Sequence, residues 1–341
     1  MGKFPTSMID KNDKYPCVRN NNEKSNLIRK ATAVKHLFCL NFCLLILIAV
    51  TTSFCHADPL ENVMVLKDLE YARYGERSMK LDLYVPEKGD GPFPMIVWVH
   101  GGGWLGGDKS DCPLLNLGYC QRGYATASVS YRFSSESPFP AQLEDVKGAI
   151  RWIRANAKEY NIDPNRIGVI GASAGGHLVS LLGVTGKTRQ FDVGEHLDQS
   201  SEVQAVCNIF GPTDFLNYFQ YLEEGTDLTN SLHGMVDSLL GGPLAEKMEL
   251  ARQASPITYA DENASIFLHA HGTADLLVPF QQAEFLHDKL RQHGVSSRLI
   301  LIPGAGHGDA GFFSEQLFKE IALFFDEHLP GKKRPKPGVE N

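Results

Sequence analysis

Short apolar runs alternate with amphipathic stretches through most of this 341-residue chain. PAQLEDVKGAIRWIRANAKEY, for example, places Leu143, Val146 and Ile150 on one helical face. The apolar runs are bounded by Gly, Pro or Asp, as expected of strands buried in a parallel sheet; they are MIVWV, ATASVSY, IGVIG, VQAVCNIFG, SIFLHAHG and RLILIPGAG. Strands that alternate with helices predict an α/β fold, a doubly wound sheet with helices on both faces.

Two regions depart from this alternation. NVMVLKDLEYA and MKLDLYVPE alternate polar with apolar residues, which predicts an antiparallel pair and brings the mostly parallel sheet to eight strands. Residues 212–259 form a connection about twice the ordinary length, which predicts a helical insert after the sixth strand. Such inserts lie above the carboxyl ends of the strands, where ligands bind. We expect one domain over residues 58–329.

The two ends of the chain do not read as part of this domain. In residues 1–57 a basic region precedes the apolar stretch LFCLNFCLLILIAVTTSF, and the small-x-Ala pattern CHA follows. These are the parts of a secretory signal peptide, so we expect export to the periplasm or the medium, with a retained N-terminal membrane anchor as the alternative. Residues 330–341 are basic and Pro-rich, and we expect a disordered tail.

The charge of the chain argues against a nucleic-acid partner. Residues 1–36 hold eight Lys or Arg and three Asp or Glu, which leaves 25 basic and 37 acidic residues in the remainder. An acidic body repels a phosphate backbone and an anionic membrane. We therefore expect no nucleic acid, and a membrane partner only if the N-terminal segment is retained.

Few cysteines remain after residue 57. Cys112 and Cys120 could form a disulfide in an oxidising compartment or could be two ordinary thiols, and the sequence leaves both open. Cys207 is the third. The chain has no CxxC or HExxH motif, so nothing in the sequence indicates a metal site.

The motif GASAG, residues 171–175, lies directly between a predicted strand and a predicted helix. A serine in a tight strand-to-helix turn tolerates only small neighbours, and Ala172, Ala174 and Gly175 satisfy that requirement. The helix N-terminus also favours the negative charge that develops when a serine attacks a carbonyl. Ser173 is therefore the candidate nucleophile, and a simple helix N-cap serine is the alternative.

A serine nucleophile needs a base, which is itself oriented by an acid. Asp275 in HGTADLLVP and His307 in LIPGAGHGD each follow a predicted strand, in the order Ser, acid, His. Both are expected at the same sheet edge as Ser173, as the acid and the base of a triad. Asp214 and Asp309 are weaker candidates for the acid. Among the other histidines we expect His269 and His271 to be structural and His100 to brace its glycine loop, and His177 lies one turn into the helix after Ser173.

The sequence HGGGW directly follows the strand MIVWV. A tetrahedral oxyanion is best stabilised by preorganised backbone N–H groups, and a loop without side chains lets the substrate oxygen approach them. We expect Gly102 and Gly103 to supply two such donors and Ala174, the residue after the nucleophile, to supply another.

With these motifs in this order, the chain resembles the α/β-hydrolase superfamily of serine esterases. It looks most like the HGGG-type carboxylesterases related to hormone-sensitive lipase and to secreted feruloyl and acetylxylan esterases. VSYRF and PAQLEDVKGAIRWIRANA are also typical of this group. The resemblance implies the α/β-hydrolase fold, Ser173 as nucleophile, His307 as base and Asp275 as acid. It also implies a structural pair between Arg132 and Asp145.

The expected activity is hydrolysis of short-acyl or carbohydrate-linked esters through an acyl-enzyme, without a cofactor or a metal. The hormone-sensitive-lipase group usually has an acid before the nucleophile, where this chain has Ala172, and this difference favours the secreted polysaccharide-esterase branch. One alternative is a peptidase similar to the prolyl oligopeptidase family, because HGTADLLVP also resembles the acid motif of that family. Another is a non-catalytic binding protein of the same fold.

Overall fold

The computed structural model describes residues 60–112 and 118–329. The predicted signal or anchor segment, residues 1–57, and the predicted tail, residues 330–341, lie outside the described residues. Within the described ranges, no helix is long and apolar enough to cross a membrane.

Eight strands form one sheet in the order β1-β2-β4-β3-β5-β6-β7-β8. β1 pairs antiparallel with β2, and β2 with β4, whereas every other neighbouring pair is parallel. The predicted sheet is confirmed. The strands are β1 (Val63–Tyr74), β2 (Arg77–Pro86), β3 (Phe93–Val99), β4 (Ala125–Val129), β5 (Ile162–Ala172), β6 (Ala205–Ile209), β7 (Ile266–Gly272) and β8 (Ser297–Ile302).

Helices cover both faces of the sheet. Val97 of β3 belongs to one buried apolar cluster, with Leu143 and Leu178, whereas its neighbour Trp98 belongs to another, with Phe325. This alternation follows from the pleat, which sends successive side chains to opposite faces. The helices are α1 (Ala141–Ala155), α2 (Ala174–Thr185), α3 (Asp227–Leu240), α4 (Met248–Ala254), α5 (Gln281–Gln292) and α6 (Glu315–His328).

The insert, residues 212–259, is helical as predicted and follows β6. It contains α3, α4 and three short 3-10 helices, Phe219–Tyr221, Leu244–Glu246 and Pro256–Tyr259. The Thr226 hydroxyl accepts a hydrogen bond from Thr229 N at 3.0 Å and caps α3, which ends at Gly241 with φ +66°. Leu232, Val236 and Leu239 of α3 pack into the apolar core on the α1 side of the sheet. The insert is thus attached to the core by its own apolar face.

The Arg132–Asp145 pair that the family resemblance implied is present. Arg132 Nη2 donates to Asp145 Oδ1 at 2.8 Å, and Nε donates to Oδ2 at 2.9 Å. The guanidinium also lies 3.7 Å from the centre of the Tyr74 ring. These contacts tie the loop after β4 to α1 and β1, so Arg132 has a structural role.

Of the two alternatives for the cysteines, the structure favours ordinary thiols. Cys112, Cys120 and Cys207 are all buried thiols. Cys120 Sγ lies 3.6 Å from Thr126 Oγ1, and the Cys120 side chain packs in a small buried apolar cluster with Tyr84.

Candidate active site

Ser173 occupies a strained turn between β5, which ends at Ala172, and α2, which begins at Ala174. Its φ of 56° and ψ of −123° lie in a region that non-glycine residues rarely adopt, at a cost of about 1–3 kcal/mol. The hydrogen bond from Ser173 N to Ile209 O, 2.9 Å, helps to hold it there. A Cβ on Gly175 would lie 2.0 Å from Val99 O, so a glycine is required for α2 to approach β3 this closely.

The structure brings Ser173, His307 and Asp275 together from the loops after β5, β8 and β7. His307 Nε2 lies 3.0 Å from Ser173 Oγ, and His307 Nδ1 lies 2.7 Å from Asp275 Oδ2. Because a carboxylate only accepts hydrogen bonds, Nδ1–H donates to Asp275 and Nε2 is left to accept from the serine hydroxyl. The imidazole side chain is 16% exposed and the Asp275 side chain is fully buried, so the chain of hydrogen bonds opens to solvent at its serine end.

Asp275 is held as an anion by four donors. Its Oδ1 accepts from Leu277 N and Val278 N, both at 2.9 Å. Its Oδ2 accepts from His307 and lies 3.4 Å from His271 Nε2, which also donates to Val278 O at 2.8 Å. Burial raises the pKa of this carboxyl, but the hydrogen bonds from His271 and His307 outweigh it and hold the pKa well below its usual range. His271, expected to be structural, therefore also contacts the acid.

The glycine loop, residues 100–107, lies directly against the serine turn. A Cβ on Gly101 would lie 3.3 Å from Ser173 Cβ, and one on Gly102, where φ is +110°, would lie 2.2 Å from Gly106 O. Within the described part of the chain, the N–H groups of Gly102, Gly103 and Ala174 donate to no other residue. The three predicted donors thus have no internal acceptor among the described residues.

His100 braces this loop. Its Nδ1–H donates to Gly101 O at 2.8 Å, and its ring stacks on Tyr131 with 4.4 Å between ring centres. The Tyr131 hydroxyl in turn donates to His100 O at 3.0 Å. Burial lowers the pKa of His100 and so disfavours its charged form.

The two weaker acid candidates stabilise their own turns. Asp309 Oδ2 accepts from Gly306 N at 2.6 Å, and Asp214 Oδ1 accepts from Leu216 N at 3.1 Å. Among the described residues, no group of three His, Cys, Asp or Glu side chains is arranged to hold a metal ion.

Phe210 contacts His307 in the candidate site, and this contact was not predicted from the sequence. Its ring lies 4.5 Å from the His307 ring and 4.5 Å from the Phe312 ring. Its φ is +41°, a strained value for a bulky side chain. Nothing in the run VQAVCNIFG signals that conformation, because it depends on contacts between strand-end loops that are distant in sequence.

Known proteins match this chain in sequence and in structure. A family model described as BD-FAE matches residues 81–290. The probable carboxylic ester hydrolase LipM of Mycobacterium tuberculosis is 33% identical over 66% of this chain and 51% of its own length. Esterase LipC of the same organism is 33% identical over 64% of this chain and 53% of its own length. The chain thus spans about half the length of these curated relatives.

Two solved structures share the fold and more than a quarter of the aligned residues. A truncated carbohydrate esterase from gut microbiota superposes with a TM-score of 0.68 and 31% identity over 79% of this chain and 97% of that one. A bifunctional GH43-CE protein of Bacteroides eggerthii gives a TM-score of 0.70 and 34% identity over 78% of this chain and 35% of that one. Together with the eight-stranded sheet, these matches confirm the α/β-hydrolase fold, and the chain belongs to the BD-FAE family.

Proposed function

We propose that this protein is a serine carboxylic-ester hydrolase that acts on short-acyl or carbohydrate-linked esters. The observation that carries the proposal is the continuous chain of hydrogen bonds from Ser173 Oγ through His307 to Asp275, with distances of 3.0 and 2.7 Å. It begins at a strained serine beside free backbone N–H groups, and this combination is the arrangement that acyl transfer requires.

In the acylation step Ser173 Oγ attacks the ester carbonyl carbon while its proton passes to His307 Nε2. The carbonyl oxygen becomes an oxyanion, which accepts hydrogen bonds from the N–H groups of Gly102, Gly103 and Ala174. Asp275 stabilises the imidazolium through Nδ1–H without taking its proton. When the carbon–oxygen bond to the alcohol breaks, His307 gives the proton to the leaving oxygen, and an acyl-serine remains.

In the deacylation step water attacks the acyl carbon and gives a proton to His307 Nε2. The second tetrahedral intermediate uses the same N–H donors. As it collapses, His307 returns the proton to Ser173 Oγ and the carboxylic acid is released. In both steps His307 Nε2 must be unprotonated at the start, because it accepts the proton of the attacking hydroxyl or water.

The substrate class is supported by the named relatives. LipM and LipC are named as ester hydrolases, and the superposed gut-microbiota structure is named as a carbohydrate esterase. A family likeness alone does not fix the substrate, so the acyl length and the alcohol need a direct assay.

The test compares the wild-type protein with Ser173→Ala and with the control Ser180→Ala. Ser180 lies on the same helix, but its hydroxyl donates to Gly176 O at 2.7 Å. The substrates are nitrophenyl acetate, butyrate and decanoate, acetylated xylan and a prolyl-peptide amide. We expect turnover of the short esters that is lost in Ser173→Ala and kept in Ser180→Ala. Peptide cleavage without ester turnover would favour the peptidase, and no turnover by folded wild-type protein would favour the binding protein.

We also propose that residues 1–57 direct export. The support is the basic region, the apolar stretch and the CHA pattern described above. Expression of the full chain followed by cell fractionation and N-terminal sequencing tests this. A soluble exported protein that begins near residue 58 is expected, whereas a full-length protein in the membrane fraction would favour the anchor.

A further inference from the structure

A second chain of hydrogen bonds runs beside the candidate active site. Trp104 Nε1–H donates to His177 Nδ1 at 3.1 Å, and His177 Nε2 lies 2.7 Å from Ala254 O. Trp104 belongs to the glycine loop, His177 lies on α2 one turn after Ser173, and Ala254 ends α4 of the insert. These hydrogen bonds therefore join the glycine loop, the helix that follows Ser173 and the insert.

Only one protonation state of His177 closes this chain. An indole nitrogen only donates and a carbonyl oxygen only accepts, so the imidazole must be neutral with its proton on Nε2. Both side chains are buried, at 5% exposure for Trp104 and none for His177. Burial, which outweighs the bond to Ala254, lowers the pKa of His177 to about 4.

Trp104 adopts a strained backbone conformation, which its contacts with Ser134 and His177 help to maintain. Its φ is +59°, which a large side chain rarely adopts. Its carbonyl oxygen accepts from Ser134 N at 2.8 Å, and its ring meets the His177 ring edge-on at 5.3 Å. Such strain persists only where surrounding contacts over-determine it, and it is common at functional sites. Because Trp104 directly follows Gly103, these contacts act on the backbone that carries the glycine N–H groups.

The insert supplies further contacts to the same cluster. The Phe215 ring lies 5.1 Å from the His177 ring and 5.7 Å from the Trp104 ring. Met235 of α3 reaches the glycine loop directly, since a Cβ on Gly103 would lie 2.7 Å from its sulfur. The insert thus packs against the loop with an aromatic ring and a thioether, and its Ala254 carbonyl is linked to the loop through His177.

We propose that Trp104 and His177 are positioning residues, and that the bonds from Trp104 through His177 to Ala254 keep the N–H groups of Gly102 and Gly103 aimed at the oxyanion. The inference rests on the proposed function. Oxyanion donors act mainly in the transition state, so misplacing them lowers kcat and leaves KM nearly unchanged.

The experiment separates the two bonds that His177 makes. Trp104→Phe keeps an aromatic ring but removes the N–H donor. His177→Asn keeps an acceptor near the Nδ1 position, whereas His177→Gln keeps a donor near the Nε2 position. The control is Trp152→Phe, because Trp152 stacks on Tyr160 with 5.9 Å between ring centres and lies on α1. For each variant, kcat and KM are measured on nitrophenyl acetate, and the inhibition constant of an alkylboronic acid is measured as well.

We expect Trp104→Phe and His177→Gln to lower kcat by about 10- to 100-fold, the range of a small misplacement of catalytic groups. A boronic acid forms a tetrahedral adduct with the serine, so its binding should weaken by a similar factor while KM changes little. His177→Asn should stay closer to wild type than His177→Gln. A general loss of structure would not produce this order, and thermal unfolding of each variant sets a temperature at which all are folded.

Two results would overturn the inference while leaving the esterase proposal intact. One is ester turnover by Trp104→Phe at the rate of the Trp152→Phe control. The other is a kcat for His177→Gln equal to that of the wild type, which also decides the question if Trp104→Phe does not fold. Absence of ester turnover by the wild-type protein would instead overturn the proposed function, and this inference with it.

Discussion

His307 and His177 occupy matching positions in two different chains of hydrogen bonds. Each ring accepts a bond on one nitrogen, donates on the other and lies near a phenylalanine, Phe210 for His307 and Phe215 for His177. The two chains of hydrogen bonds differ in the groups at their ends. His307 lies between a hydroxyl that can release its proton and a buried carboxylate, whereas His177 lies between an indole N–H that keeps its proton and a neutral carbonyl.

The difference shows what turns a histidine into a base. A carboxylate beside Nδ1 stabilises the imidazolium that forms when the serine proton is transferred, and a peptide carbonyl in a fully buried site does not. On the two proposals made above, the same three-part geometry serves proton transfer in one place and fixed positioning in the other. The following predictions test this contrast.

The largest effect is expected when the charged end of the His307 chain is neutralised. In Asp275→Asn the side chain is uncharged and can present an N–H to Nδ1, which favours the wrong tautomer of His307. We expect kcat on nitrophenyl acetate to fall by about 10⁴-fold with the fold intact. The control is Asp309→Asn, because the Asp309 carboxylate accepts a hydrogen bond from Gly306 N in its own turn. A fall in kcat of less than tenfold in Asp275→Asn would show that the carboxylate is not what distinguishes the His307 hydrogen bonds from those of His177.

The next-largest effect is expected on the stability of the protein in acid, through the protonation of His177. The unfolded chain binds a proton near the ordinary histidine pKa of about 6.5, whereas the folded chain binds it only near 4. The stability that neutral His177 contributes is fully present above about pH 6.5 and is lost as the pH falls toward 4, up to about 3 kcal/mol.

Urea unfolding at pH 7 and pH 4.5 measures this loss in wild type and in His177→Gln. The variant should lose less stability on acidification than the wild type. His269, whose pKa burial lowers to about 3, is present in both proteins and cancels from the comparison. An equal loss in the two proteins would contradict the assignment of a neutral His177.

A smaller effect is expected at His271, which contacts the acid of the His307 chain. His271→Leu removes a donor 3.4 Å from Asp275 Oδ2 and the bond to Val278 O. We expect kcat to fall by about tenfold, since a hydrogen bond to a charged group contributes about 1.5 kcal/mol. His271→Gln, which keeps a donor near the Nε2 position, should recover most of the rate, and equal rates for the two variants would exclude this positioning role.

The smallest effect is expected at Phe210. Its ring lies 4.5 Å from the His307 ring, where an aromatic face stabilises the imidazolium by about 0.5–1 kcal/mol. Phe210→Leu should therefore lower kcat by about two- to fivefold without changing KM. Phe219→Leu is the control, because that ring stacks on His233 instead. Identical rates in both variants would limit the role of Phe210 to packing.

The two chains also differ in how far the sequence predicts them. Ser173, Asp275 and His307 each follow a strand in a recognisable motif, and the parallel sheet brings such positions to one edge, where the structure indeed places them. His177 could be placed on its helix, but its partners could not, because Trp104 lies 73 residues away and Ala254 lies 77 residues away. Those contacts depend on how the insert packs.

The backbone conformations show the same limit. GASAG predicts a strained turn because its small residues permit one, and Ser173 adopts it. Phe210 and Trp104 also have positive φ values, yet neither residue type signals one. The length of the connection over residues 212–259 predicts helices, but its contacts with the glycine loop appear only in three dimensions.

The attachment of the insert to the glycine loop has a consequence for protein engineering. Ala254 and Phe215 both belong to residues 212–259, so this segment cannot be exchanged independently of the rest of the protein. A grafted segment from a related protein must also bring a carbonyl oxygen to the position 2.7 Å from His177 Nε2. Laboratory evolution of substrate range through this segment should therefore change turnover number and substrate preference together.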